Sequence, residues 1–125
     1  MNKYIKFLEK IFNDSFCDNF ELIKINYKTL KIITPFKDSS NDLIQFFIQF
    51  DNEKIKITDD GYITHYFDVK NLDISIIERI TKNYNLKFNS NEIYALIDLS
   101  KNDLISEKIS NLIQIMILLS NIDIY

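Results

Sequence analysis

The sequence is short of the residues most often used for chemistry. Its 125 residues include one glycine, one proline, one cysteine, one histidine and no tryptophan. A single glycine, Gly61, excludes a Walker A loop, a G-x-G-x-x-G dinucleotide turn and a G-x-S-x-G nucleophile elbow. Each of these needs several glycines to bring backbone close to phosphate or to turn the chain sharply. A single histidine, His65, excludes H-E-x-x-H and any other two-histidine metal centre. A single cysteine, Cys17, excludes an intrachain disulfide, a Cys-x-x-Cys redox pair and a cysteine-based zinc ribbon. No basic residue lies near Cys17 in sequence to lower its pKa, so a buried structural thiol is expected, in a reducing compartment. Long apolar runs are scarce too. The longest, residues 115–119, is flanked by Gln114, Ser120 and Asn121, far short of the roughly 20 residues a membrane span needs. The first ten residues carry too much charge for a signal peptide. These absences predict a soluble, cytoplasmic protein with no membrane contact.

What is present suits one domain over residues 1–125. The chain is 46% hydrophobic, and a chain of this length buries a core without metal or disulfide. It has 15 basic and 18 acidic residues, net charge −3. The basic set is almost all lysine. That balance argues against direct nucleic-acid binding, which leans on basic surface and usually on arginine. A basic partner surface is the more natural target. No motif calls for a cofactor. Ile, Asn and Lys are abundant and Ala95 is the only alanine, a bias expected of A/T-rich codons.

The hydrophobic period changes along the chain. Tyr4, Ile5, Leu8, Ile11 and Phe12 recur at helical spacing over residues 3–13, with Asn13-Asp14-Ser15 as a stop. Residues 20–26 and 29–35 read as short strands, with Pro35 at a strand end or edge because it lacks an N–H. Residues 37–42 form a polar loop. Residues 43–50 and 54–58 alternate strictly and predict an antiparallel hairpin around 51–53. A short helix or turn follows through Phe67. Residues 75–84 read as a helix, with Ser75 as N-cap and Glu78 completing a capping box. Residues 86–88 and 92–97 read as a second hairpin. A final helix over about 103–121 is apolar around much of its girth, so it is expected to be buried or to pair with a second copy in a homodimer. The predicted class is α+β: a mainly antiparallel sheet built from hairpins, helices on one face, and helices at both termini.

The meander has a geometric consequence. Strands 29–35, 43–50 and 54–58 run up, down and up, so loop 37–42 and segment 58–62 fall at the same end of the sheet. Asp38, Asn41, Asp42, Asp59 and Asp60 then share one edge. Four carboxylates there are suitable for a hard cation or for metal-dependent phosphodiester cleavage. They are equally the residues that close turns and cap helices through backbone N–H groups, with Gly61 supplying a tight turn. Lys37 and Lys56 are the nearest bases for a nuclease, but no Asp/Glu-x-Lys step follows either acidic stretch. His65 is available for proton transfer, though a lone histidine on a mixed face more often packs or sits at the surface. Phe46, Phe47, Phe50 and Tyr62 would stack on bases if exposed. Alternation assigns all but Phe47 to the core, and leaves Phe47 for a helix on the other face to cover.

Two blocks of this region, Thr34-Pro35-Phe36-x-Asp38-x-x-Asn41-Asp42-x-Ile44-x-x-Phe47 and Thr58-Asp59-Asp60-Gly61-Tyr62, resemble the core motif of DUF1828, a family of uncharacterised bacterial and phage proteins. The order of elements is also similar, including a terminal helix with Asn111 and Gln114 in its first half. Ser39-Ser40 departs from the larger residues usual at that point of the loop. The resemblance implies a cytoplasmic protein of phages or mobile elements, with Thr34, Pro35, Phe36, Asp38, Asn41, Asp42, Thr58, Asp59, Asp60, Gly61 and Tyr62 as the candidate site. Two functions are then in view. One is a small acidic protein that binds and inhibits a host factor, such as a CRISPR effector nuclease with a basic nucleic-acid channel. The other is a metal-dependent phosphodiesterase using the clustered Asp residues.

Overall fold

A computed structural model describes residues 2–15, 19–101 and 105–122. The elements, in chain order, are α1 (Asn2–Ser15), β1 (Glu21–Asn26), β2 (Thr29–Lys37), β3 (Leu43–Asp51), β4 (Lys54–Thr58), α2 (Tyr62–Val69), α3 (Ser75–Asn83), β5 (Lys87–Asn89), β6 (Glu92–Asp98) and α4 (Ile105–Leu119). The class is α+β, with helices near both ends. Six strands form one antiparallel sheet in the order β1-β2-β3-β4-β6-β5. Strands β1 to β4 are a meander. Helices α2 and α3 then carry the chain past β4, so that β6 pairs with β4 (Ile57 opposite Ala95) and β5 takes the outer edge.

Strict alternation decides which face is covered. Leu30, Ile32, Ile44, Phe46, Ile48, Phe50, Ile55, Ile57, Ile93 and Ile97 all point to one side and are buried there. They meet Leu8 and Phe12 of α1, Ile63 and Phe67 of α2, Ile77 of α3, and a run of α4 residues. The apolar girth of α4 is taken up inside the chain. Ile105, Ile109, Leu112, Ile113, Ile115, Met116 and Leu119 are buried, and Leu118 is its exposed apolar residue.

Several local expectations need correction. Helix α1 does not stop at Asn13 but runs to Ser15. Strand β2 does not end at Pro35; it continues to Lys37 through an irregularity between Ile33 and Lys37, where a proline's missing N–H is tolerated. Ser75 does not cap α3. The Asp73 carboxylate accepts from the Ser75 N–H at 3.0 Å instead, which holds Asp73 below the usual carboxylate range. The final helix is described from Ile105 and ends at Leu119 rather than at 121. Cys17 and Leu104 lie outside the described residues.

With one glycine available, asparagine supplies most of the left-handed turns. Asn41, Asn52, Asn71, Asn85 and Asn91 have positive φ, as do Asp60 and Ser90. Asn and Asp tolerate this region better than other residues with a Cβ. Ser90 and Asn91, both left-handed, form the two-residue turn between β5 and β6, as a type I′ turn requires.

Candidate functional site

The two motif blocks do meet, through side chains that turn inward. Asp38 is buried. Its Oδ1 accepts from the backbone N–H groups of Ser40 (2.8 Å) and Asp42 (3.0 Å), and its own N–H donates to the Asp42 carbonyl (2.9 Å). Loop 38–42 is thereby closed on itself. The other carboxylate oxygen, Oδ2, accepts from the Tyr62 hydroxyl, the first residue of α2. Burial, and then this bond and the charge of Asp38, push the Tyr62 phenol well above its ordinary value. It therefore stays a neutral donor at physiological pH. Tyr62 is half-buried, not a core residue as alternation suggested.

Thr34 fixes the strand side of the loop. It is fully buried, and its Oγ1 donates to the Ile44 carbonyl (2.8 Å) and accepts from the Phe36 N–H (3.2 Å). The hydroxyl thus serves the backbone at the irregularity that contains Pro35. Phe36 is 37% exposed, with its ring edge-on to Phe20 at 6.1 Å.

Asp59 does for the second block what Asp38 does for the first. It is 2% exposed. Oδ1 accepts from the N–H groups of Gly61 (3.0 Å) and Ile93 (2.9 Å), and Oδ2 from Ile63 (3.0 Å). One carboxylate therefore satisfies the open N–H groups at the start of α2 and pins them to β6. Burial is the larger influence and raises its pKa, against the three amide bonds and with a small contribution from Glu92. Gly61 stands at φ +80°, and a Cβ there would lie 3.4 Å from the Asn91 carbonyl. Its need for glycine is thus conformational rather than steric. Thr58, buried, accepts from the Asp60 N–H and donates to Glu92 Oε2 (2.6 Å), while Glu92 also pairs with Lys56.

Of the four carboxylates placed at this edge, two are engaged and two face solvent. Asp42 and Asp60 are exposed, as is Asn41, and neither carboxylate has a bonded partner among the described residues. Among those residues no three His, Cys, Asp or Glu side chains form a group that could hold a metal ion. Lys56 is bonded to Glu92 rather than to the Asp cluster. His65 is exposed on α2.

Local spacing gave no sign of Ser39, Tyr66 and Ser120. The Ser39 hydroxyl lies 2.8 Å from that of Tyr66, and the Ser39 N–H donates to the Ser120 carbonyl at 3.2 Å. Tyr66 also donates to the Ile122 carbonyl at 3.3 Å. The departure at Ser39 therefore lets the loop lie against α2 and the end of α4.

No helix among the described residues is long and apolar enough to cross a membrane. No curated protein and no solved structure matches the chain. The family described as a domain of unknown function, DUF1828, matches residues 34–118, from Thr34 of the first motif block into α4, and leaves α1 and β1 outside. With both motif blocks inside that span and joined through Asp38 and Tyr62, the chain belongs to the DUF1828 family.

Proposed function

We propose that the chain is a small acidic binding protein of phage or mobile-element type that inhibits a host factor by protein–protein contact. The target we infer is a basic, nucleic-acid-binding surface, such as that of a CRISPR effector nuclease. The observation that carries this reading is the division of labour at the corner. Asp38 and Asp59 are engaged by backbone amides, and Asp38 by Tyr62 as well. Asp42 and Asp60 are left exposed on the rigid turns those bonds create. Phe36, one residue before the end of β2, and Leu43, the first residue of β3, are 37% and 42% exposed. Apolar surface next to fixed carboxylates suits a basic partner, because the charges steer approach and the apolar groups exclude water.

The test compares wild type with Asp42→Lys/Asp60→Lys in affinity capture from host lysate at low salt, with thermal melting as the control for folding. Capture by the wild type of a nucleic-acid-processing protein whose activity it suppresses, with loss of both in the charge-reversed variant, supports the reading. Equal capture by both proteins, or no inhibition by the wild type, overturns it.

A further inference from the structure

The sheet has a second face that no described helix covers. An open antiparallel face ordinarily alternates to polar side chains. Here one cross-strand row reads Lys31–Phe47–Thr58–Tyr94–Lys87 across β2, β3, β4, β6 and β5. Phe47 and Tyr94 are half-exposed, while Thr58 between them is buried. What faces outward in the middle of the row is therefore aromatic ring. Lys56, held by Glu92, braces Tyr94 with its Nζ 5.1 Å from the ring centroid. Below the row the same face continues into a cavity of about 700 Å³ lined by Asp51, Lys54, Lys56, Leu96 and Asp98, among others. Leu96 is 58% exposed.

Both signs of charge lie on this face. Glu92 is bonded to Lys56 and Thr58, and Asp98 to the Ser100 N–H, while Glu21 and Asp51 are exposed on it. Lys31 and Lys87 flank the two rings, with Ile23 of β1 beyond Lys31, and have no bonded partner among the described residues.

We propose that the open sheet face binds single-stranded nucleic acid, with bases stacked on Phe47 and Tyr94 and phosphates at Lys31 and Lys87. Every base presents a π-face to an aromatic ring, so such a platform tolerates sequence. A duplex hides those faces and is not bound. The row crosses four inter-strand steps of roughly 4.8 Å each, room for a few nucleotides. Two phosphate contacts make the binding stacking-led and only weakly dependent on salt. This proposal uses the face of the sheet, whereas the proposed inhibitor contact uses the corner of Asp42 and Asp60.

The test is fluorescence anisotropy of a labelled oligo-dT of about twelve nucleotides. The wild type is expected to bind it, an unlabelled hairpin duplex is expected not to compete, and mononucleotide is expected to compete only weakly. Phe47→Leu and Tyr94→Leu keep apolar bulk and remove the ring, and each is expected to weaken binding by about 5- to 100-fold with the thermal melt retained. For two single-strand phosphate contacts, log K should fall with log salt at a slope of about −1.4, and Lys31→Ala/Lys87→Ala should flatten it. Absence of binding by the wild type, competition by duplex equal to that by single strand, or wild-type affinity in both leucine variants overturns the proposal.

Discussion

Replacing Asp59 by alanine should remove several degrees of thermal stability while changing nothing on the surface. The carboxylate is 2% exposed and accepts three backbone N–H bonds, from Gly61, Ile63 and Ile93. Alanine leaves those donors without their acceptor, and Ile63 and Ile93 are fully buried. An orphaned buried donor costs about 1–3 kcal/mol. Part of this is offset, because burying the charge already disfavours the ionised form, as the raised pKa records. A net loss of about 3 kcal/mol is expected, a large share of the roughly 5–15 kcal/mol that holds a domain folded. The melting temperature should fall by about 10 °C. Asp59→Asn keeps one acceptor oxygen but turns an amide donor toward a backbone donor, for a loss of about 1–2 kcal/mol. The exposed neighbour change Asp60→Asn should stay within about 0.5 kcal/mol of wild type. The pH dependence has a definite sign. A carboxyl whose folded pKa is raised contributes its stability below the unfolded value of 3.8 and loses it as pH rises through the folded value. The gap between wild type and Asp59→Asn should therefore widen as the solution is acidified into that window. Urea denaturation followed by circular dichroism measures all three variants. Stability of Asp59→Ala within about 0.5 kcal/mol of wild type would refute the assignment of Asp59 as the pin between α2 and β6.

Gly61→Ala should cost about 1–2 kcal/mol, from the left-handed φ alone, and Gly61→Asn less, since this chain already places asparagine at such angles; chemical denaturation ranks the two. Thr34→Val should lose about 1–3 kcal/mol by leaving the Ile44 carbonyl and Phe36 N–H unpaired, read in the same way. Burial alone would raise the Glu92 pKa, but the bonds from Lys56 and Thr58 outweigh it and lower it below 4.5. Its contribution is present above that value and lost as pH falls through the folded value. The stability gap between wild type and Glu92→Gln should accordingly narrow on acidification, opposite in sign to Asp59→Asn. Tyr62→Phe should leave the fold intact while removing the Asp38–Tyr62 bridge, with a loss of about 1 kcal/mol read by chemical denaturation.

The sheet was legible because alternation is strict. Ile44, Phe46, Ile48 and Phe50 cannot share one face in any other local structure; the turn at 51–53 was read one residue too long, since Asp51 belongs to β3 and pairs with Lys54 across a two-residue turn. The juxtaposition of the two motif blocks followed from strand direction alone. Which way each carboxylate points did not. Asp59 turns inward because Ile93, 34 residues away, brings a donor to it, and no local spacing reports that partner. Ser75 was misread because the helix begins one residue earlier than its spacing to Glu78 suggested: Ile74 stands at the N-cap, and Ser75 is inside the first turn with its N–H donated to Asp73. Asparagine carried a signal that codon bias obscured, since five of the seven non-glycine left-handed residues among those described are Asn. The terminal helix shows the limit of periodicity. Its apolar girth fits an oligomer interface or a buried position equally, and here most of it enters the chain's own core.

On the proposed reading the inward carboxylates of the corner are occupied by amides and Tyr62 and do not form a cation site. Thermal unfolding with and without about 10 mM Mg²⁺ or Mn²⁺ separates the two cases. A ligand that binds only the folded state at 100 times its dissociation constant adds about 2.7 kcal/mol, which for a chain of this size means a rise of several degrees or more. The melting temperature of the wild type should be unchanged to within about 1 °C. A rise of several degrees that disappears in Asp38→Asn or Asp59→Asn would contradict that reading.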